Sequence, residues 1–230
     1  MKTVKDFVSL KRAILFDLFH TLTSLESKWG QYTSDFLGID REVWTRELTE
    51  KSRYRLSGEE KDPFTLVKRL AHSINPNIPL DLIQKATNNR LKRFENALIN
   101  IPDNTKYTLK KLKEMNKIIG LISNADVSEM AGWNKSPIVP YFDKVIFSCD
   151  VGFVKPEKEI YEYAFRELNI TPEESVFIGD GGSNELYGAK QVGLSTIMIT
   201  GIMKELWPDR IDSIKVNADY VIENINELVD

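Results

Sequence analysis

The chain has 230 residues, enough for one large domain or for a core carrying a smaller insertion. Hydrophobic residues make up 42% and charged residues 28%, which fits a packed core under a solvated surface, and a net charge of -3 gives no electrostatic reason for a nucleic-acid partner. The single cysteine, Cys149, excludes an internal disulfide, no apolar run approaches the roughly 20 residues of a membrane span, and Met1 to Asp6 lead into no apolar signal region, so a cytoplasmic protein without membrane partners is expected.

In chain order, Ala13 to Phe16 read as a buried strand too short for a helix, and the run ends abruptly on Asp17. In an open α/β sheet the ligand crevice lies beyond the carboxyl ends of the strands, which sets Asp17 at the mouth of that crevice. An acid that only caps the next turn is the plainer alternative for this segment alone. From Ser24 to Glu95 no buried strand is evident, and apolar residues recur instead at helical spacing: Trp29, Tyr32 and Phe36; Val43, Trp44 and Leu48; Phe64, Val67 and Leu70; Leu82, Ile83, Ala86 and Leu91. Breakers at Gly38, Gly58, Pro63, Pro76 and Pro79 divide them into about four helices.

Beyond Ile101 the pattern alternates. A helix over 104–114 precedes a strand over 118–122, a short strand follows at 145–148, and a helix over 156–168 precedes a strand over 176–178. A helix over 183–192, stopped by Gly193, leads to a strand over 196–199, and 220–222 closes the sheet. Strands alternating with helices imply right-handed crossovers and a parallel sheet covered on both faces.

Four segments carry the chemistry: Asp17 after the first strand, Ser123-Asn124 after the second, Lys155 just before Pro156 at an expected helix start, and Gly179-Asp180 running into a glycine-rich turn. Taken in this order they resemble the four motifs of the haloacid dehalogenase-like superfamily, over about 13–222. The resemblance implies a Rossmann-like, doubly wound α/β core over 1–23 and 96–230, with a helical cap inserted over 24–95. It also implies a Mg²⁺-dependent phosphatase acting on a small phosphorylated metabolite. Asp17 would be the nucleophile that forms an aspartyl-phosphate, and Ser123 and Lys155 would meet charge on the phosphoryl oxygens. The metal set would be Asp17, the Phe19 carbonyl and Asp180, and Asn124 and His20 are the candidate substrate contacts. Glu185, one methylene longer than the Asp common at that place, is expected behind the metal set, with Ser183 and Asn184 as turn and helix-cap residues.

Phe19 departs from the pattern. Most phosphatases of this superfamily carry a second Asp there, which protonates the leaving group and later activates water, and a phenyl ring does neither. His20, next along, is the nearest titratable replacement. An aromatic residue at this place also resembles the superfamily's 2-haloacid dehalogenases, which need no metal and lack the Gly-Asp pair that this chain keeps. For that rival, Arg53 or Arg55 would be the arginine holding a substrate carboxylate. A retired binding protein is the third alternative.

Overall fold

A computed structural model describes residues 3–24 and 29–230; residues 25–28, near the start of the helical insertion expected over 24–95, lie outside the described residues. The strands are β1 (Ala13–Phe16), β2 (Ile118–Ser123), β3 (Lys144–Phe147), β4 (Ser175–Gly179), β5 (Ser195–Ile199) and β6 (Tyr220–Ile222). They form one six-stranded sheet in the order β3-β2-β1-β4-β5-β6, with every neighbouring pair parallel. β1 is central, Ile14 standing opposite Ile119 of β2 on one side and Val176 of β4 on the other. This is the doubly wound order in which the connections leave in opposite directions from the centre and open a crevice at the strands' carboxyl ends.

Every residue of β1 is buried, because the sheet is covered on both faces and successive side chains point opposite ways. Ile14 and Phe16 join one apolar layer with Leu109, Leu112 and Leu121. Ala13 and Leu15 join the other, with Ile160, Tyr161, Phe177 and Leu186. The covering helices include α1 (Val4–Leu10), which the sequence reading did not anticipate. Its start is fixed by a capping box in which Thr3 and Asp6 satisfy each other's backbone N–H groups.

Between β1 and β2 lie α2 (Thr33–Leu37), α3 (Arg41–Glu50), α4 (Ser52–Leu56), α5 (Pro63–Ile74) and α6 (Leu80–Ile99), then α7 (Asp103–Glu114) on the sheet. Helices α2, α3, α5 and α6 surround an apolar cluster of their own, with Leu37, Trp44, Leu66, Leu70 and Ile83 inside it. Each such side chain contributes roughly 1.5–3 kcal/mol when fully buried. One helix more than expected forms because Lys51 interrupts the run between α3 and α4. The expected boundary at 95/96 falls inside α6, which continues to Ile99 since no breaker precedes Asn100 and Pro102.

After β3 come α8 (Ser148–Val151), α9 (Lys158–Leu168) and α10 (Glu185–Gln191). Pro156 does not start α9, which begins at Lys158 with Glu157 at its cap position. Ser183 and Asn184 both take left-handed backbone angles, so α10 begins at Glu185 rather than at 183. Asn184 occupies the cap position without a capping side-chain bond. Gly193 has φ +86°, as the stop of α10 requires. Among the described residues, no helix is long and apolar enough to cross a membrane.

Candidate active site

β1 and β4 end side by side, and the residue after each is an acid. The Asp17 N–H donates to the Ile178 carbonyl at 2.9 Å, which carries the strand pairing one step further and fixes where the Asp17 side chain leaves the sheet. Asp180 follows Gly179 directly, and its Oδ1 accepts the Gly182 N–H at 2.9 Å. Glu185, at the first turn of α10, reaches the same point. One carboxylate oxygen each from Asp17, Asp180 and Glu185 lie within 4.8 Å of one another, and all three side chains are buried.

Lys155 enters from the loop before α9 and is 3% exposed, so its ammonium depends on the carboxylates it meets. It donates to Asp17 Oδ1 at 2.5 Å and also to Glu185 Oε2. Burial disfavours the ammonium, but Asp17 and Glu185 outweigh it and hold its pKa above the ordinary lysine value. Asn124 clamps the lysine's backbone from the end of β2: its Oδ1 accepts the Lys155 N–H at 2.8 Å and its Nδ2 donates to the Lys155 carbonyl at 3.0 Å. Thr21 Oγ1 donates to Asp17 Oδ2 at 3.1 Å and fixes the carboxylate's rotation.

Three carboxylates against one ammonium leave the site electrostatically incomplete. Burial, with Asp17 adding repulsion, pushes the Asp180 carboxyl up to about 6, and the same causes raise Glu185 well above the ordinary glutamate value. Buried hard-oxygen donors that repel one another are the donor set a divalent cation such as Mg²⁺ takes, so the residues present fit such an ion.

Gly179 makes room for this arrangement. A Cβ there would stand 2.0 Å from Glu185 Oε1, so Gly179→Ala should force Glu185 out of the cluster. The expected cost of this overpacking is about 1–3 kcal/mol, read by chemical denaturation, together with loss of whatever ion affinity Glu185 provides.

The remaining expected residues are also gathered at this end of the sheet. Ser123 ends β2, 1% exposed, its Oγ without a hydrogen-bond partner among the described residues. A buried hydroxyl left unpaired costs free energy, so this one is open to an acceptor that reaches it. Phe19 and His20 line the cavity of about 140 Å³ that also contains Asp17, Asn124, Lys155 and Asp180. The Phe19 ring packs edge-on against Phe94 of α6 at 5.5 Å between centroids, and the His20 ring stands at right angles to Trp207 at 5.0 Å. Burial, opposed by Asp17, lowers the His20 pKa, so the imidazole is neutral at pH 7.

Neither arginine expected to hold a substrate carboxylate lines the cavity at Asp17. Arg53 is exposed and pairs with Glu157. Arg55 reaches the core instead: its Nη1 lies 3.1 Å from Asp126 Oδ2 and 3.2 Å from Glu129 Oε1. Arg90 of α6 joins the same group, 2.9 Å from Asp126 and 2.7 Å from Glu129. Burial works against the Asp126 carboxylate, but Arg90 and Arg55 prevail and hold its pKa below the ordinary value. This network ties the inserted helices to the loop after β2.

The sequence reading placed Glu185 behind the metal set and did not single out Thr21. The signal for Glu185 was Gly179, whose missing side chain gives the longer acid its path.

A buried carboxylate at the switch point of a doubly wound sheet, with a lysine and further acids around it, marks the crevice where such folds bind their ligands. The model of the haloacid dehalogenase-like hydrolases matches residues 11–193, and the chain belongs to that family. It is 33% identical over 135 residues to a glyceraldehyde 3-phosphate phosphatase of Methanothermobacter thermautotrophicus, an alignment covering 57% of this chain and 58% of that protein. The match thus spans little more than half of that relative. Among solved structures, a HAD phosphatase from Thermococcus onnurineus superposes with a TM-score of 0.61 at 25% identity, covering 94% of this chain and 95% of the other. A 2-haloacid dehalogenase from Pseudomonas syringae superposes with a TM-score of 0.59 at 21% identity, over 95% of this chain and 96% of that one, which is a likeness of fold.

Proposed function

We propose that the chain is a Mg²⁺-dependent phosphatase that hydrolyses a small phosphorylated metabolite through an aspartyl-phosphate on Asp17. The cluster of Asp17, Asp180 and Glu185 around Lys155 carries this reading. Three buried acids are suited to hold a cation that would offset their repulsion of a phosphate dianion, whereas displacement of halide from carbon needs no such cation. The phosphatase names of sequence relatives support the same choice.

Asp17, Asp180 and the Phe19 carbonyl would hold the ion, with Glu185 available as a further carboxylate. When bound, the ion offsets the repulsion between the attacking carboxylate and the phosphate and draws charge from the phosphoryl oxygens. Lys155 and Thr21 hold the Asp17 carboxylate in one orientation for attack on phosphorus. The Ser123 hydroxyl and the Lys155 ammonium then meet the charge that develops on the transferred group. Phe19 donates no proton to the departing oxygen, and a neutral His20 is a weak acid. The same neutral imidazole is competent to take a proton from the water that releases Asp17. Helices over 24–95 would act as the cap that shields this chemistry from bulk water.

Phosphate esters and 2-haloacids assayed side by side, with Mg²⁺ and with chelator, test the proposal. Hydrolysis of phosphate esters that chelation abolishes is the expected result, and metal-independent release of halide would reverse the assignment. The ion can also be read without turnover. At about a hundredfold excess over its Kd, Mg²⁺ should add about 2.7 kcal/mol of stability, a rise of roughly 5–10 °C in Tm for a chain of this size. Asp180→Asn should remove that rise. Because a proton on Asp180 competes with the ion, the rise should shrink as pH falls through about 6.

A further inference from the structure

The cavity at Asp17, about 140 Å³, is smaller than the roughly 300–1,000 Å³ of small-molecule pockets. It takes a phosphoryl group and leaves the rest of a substrate to a neighbouring space. One neighbour is continuous with it: a cavity of about 490 Å³ shares His20, Asp180, Gly182 and Ser183 with the cavity at Asp17. By contrast, the cavity lined by Tyr32 and Trp44 shares no lining residue with it, and the one beside Thr23 and Glu223 shares only His20.

No residue lining the 490 Å³ cavity belongs to the helices between β1 and β2. Besides the loop after β4, its wall comes from the connection between β5 and β6. There α11 (Gly201–Leu206), a short 3-10 turn (Pro208–Arg210) and α12 (Ile211–Ile214) supply Met203, Trp207 and Ile214. Met203 is buried and Trp207 half-buried. The wall is fixed in place, because a Cβ at Gly181, whose φ is +91°, would collide with Ile214, so α12 rests directly on the loop that carries Asp180. Trp207 meets the His20 ring at right angles, 5.0 Å between centroids, and the exposed Arg210 holds its guanidinium 5.8 Å from the Trp207 ring. An indole, a thioether and a guanidinium all pack favourably on an arene. The Ser213 hydroxyl in the same wall already donates to the Arg210 carbonyl at 2.8 Å, so the hydroxyls of a sugar would find few partners here.

Resting on the phosphatase reading, we propose that this cavity takes the leaving group and that the leaving group is an arene. The substrate class is a phosphate monoester of a phenol, and Trp207 is the residue that selects for its ring. Two independent observations meet in this assignment. Phe19 gives no proton to the departing oxygen, and a phenol, which ionises at about pH 10, departs unaided far more readily than an alkyl alcohol. The space next to Asp17 is walled by side chains onto which an aromatic ring packs. In the reaction a carboxylate oxygen of Asp17 bonds to phosphorus as the P–O bond to the ring breaks. The electron pair leaves on the phenolate oxygen, which takes a proton from water. A second water, giving up a proton, attacks phosphorus, and inorganic phosphate departs with the Asp17 carboxylate restored.

The test uses phosphonates, whose P–C bond is not hydrolysed, titrated calorimetrically into the unmodified chain with Mg²⁺. Benzylphosphonate carries a CH₂ in place of the ester oxygen of phenyl phosphate. It should bind roughly 10- to 100-fold more tightly than methylphosphonate, the gain from burying part of a ring. Cyclohexylmethylphosphonate, of similar bulk but not flat, should gain less. Trp207→Leu should cut the benzyl-to-methyl ratio by roughly tenfold. Ser213→Trp should do the same, since it sets a bulky ring into this cavity from an exposed position while Trp207 stays in place. Each ratio compares two ligands on the same protein, so a loss of folded fraction moves both alike. Trp207 also lines the cavity of Tyr32 and Trp44, so a ratio that falls with Trp207→Leu but holds with Ser213→Trp would put the ring there and overturn the placement. Equal binding of the benzyl and methyl probes, a ratio that survives Trp207→Leu, an equal gain from the cyclohexyl probe, or no binding of any phosphonate would overturn the proposal as well. The phosphatase reading fails on a different measurement, the absence of turnover of any phosphate ester with Mg²⁺, and the phosphonate ratios then still decide where a ring binds.

Discussion

Replacing Asp17 with asparagine should lower turnover by on the order of 10⁴- to 10⁶-fold, the range reached when a covalent catalyst loses its attacking group or that group's partner. The amide keeps the shape of the carboxylate, but its one oxygen can take the place of only one of the two that accept from Lys155 and Thr21, and it does not attack phosphorus. The fold should survive, since the Asp17 backbone, not its side chain, continues the β1–β4 pairing. The variant also leaves Lys155 with Glu185 as its remaining carboxyl partner, so a modest change in Tm is expected beside the large kinetic one. A rate near that of the unmodified chain, with deamidation excluded by mass, would remove Asp17 from the chemistry.

The second large effect concerns the leaving group. With Phe19 in place of an acid and His20 neutral at pH 7, aryl and acyl phosphates should be hydrolysed far faster than alkyl or sugar phosphates. General acid catalysis contributes roughly 10²- to 10⁴-fold, which sets the size of the gap. Phe19→Asp should narrow it by accelerating alkyl substrates more than aryl ones. The substitution also removes the edge-on contact with Phe94, so its stability has to be measured beside its rates. Sugar phosphates hydrolysed as readily as aryl phosphates by the unmodified chain would mean that another residue donates the proton. His20→Asn would then be the first variant to make, and a loss confined to poor leaving groups would identify it.

Much of the sheet was legible because its strands are short buried runs that end on polar residues. β6 was read at its observed bounds and β2 one residue short, at Ser123. The first helix was missed although Thr3 and Asp6 have the spacing of a capping box, because its seven residues hold too few turns to show a periodic apolar face. The start of α10 was placed at 183, since nothing in Ser-Asn announces two successive left-handed residues. In the site, residues that directly follow strands were legible from position in the chain. Thr21 was not, because its significance depends on the Asp17 carboxylate it reaches, and Glu185 was expected only behind the metal set, since a glycine on another element is what admits the longer acid to the cluster.

The arginine and carboxylate network between the inserted helices and the loop after β2 limits how this chain can be recombined with its relatives. Arg55 and Arg90 belong to the helices between β1 and β2, while Asp126 and Glu129 belong to the loop after β2. A chimera that replaced the helices alone would strand a fully buried Asp126 without its counter-charges, and breaking a buried pair from one side costs about 3–5 kcal/mol. Exchanges of this insertion should therefore succeed only when the segment from Asp126 to Glu129 travels with it, so the transferable module is discontinuous in sequence.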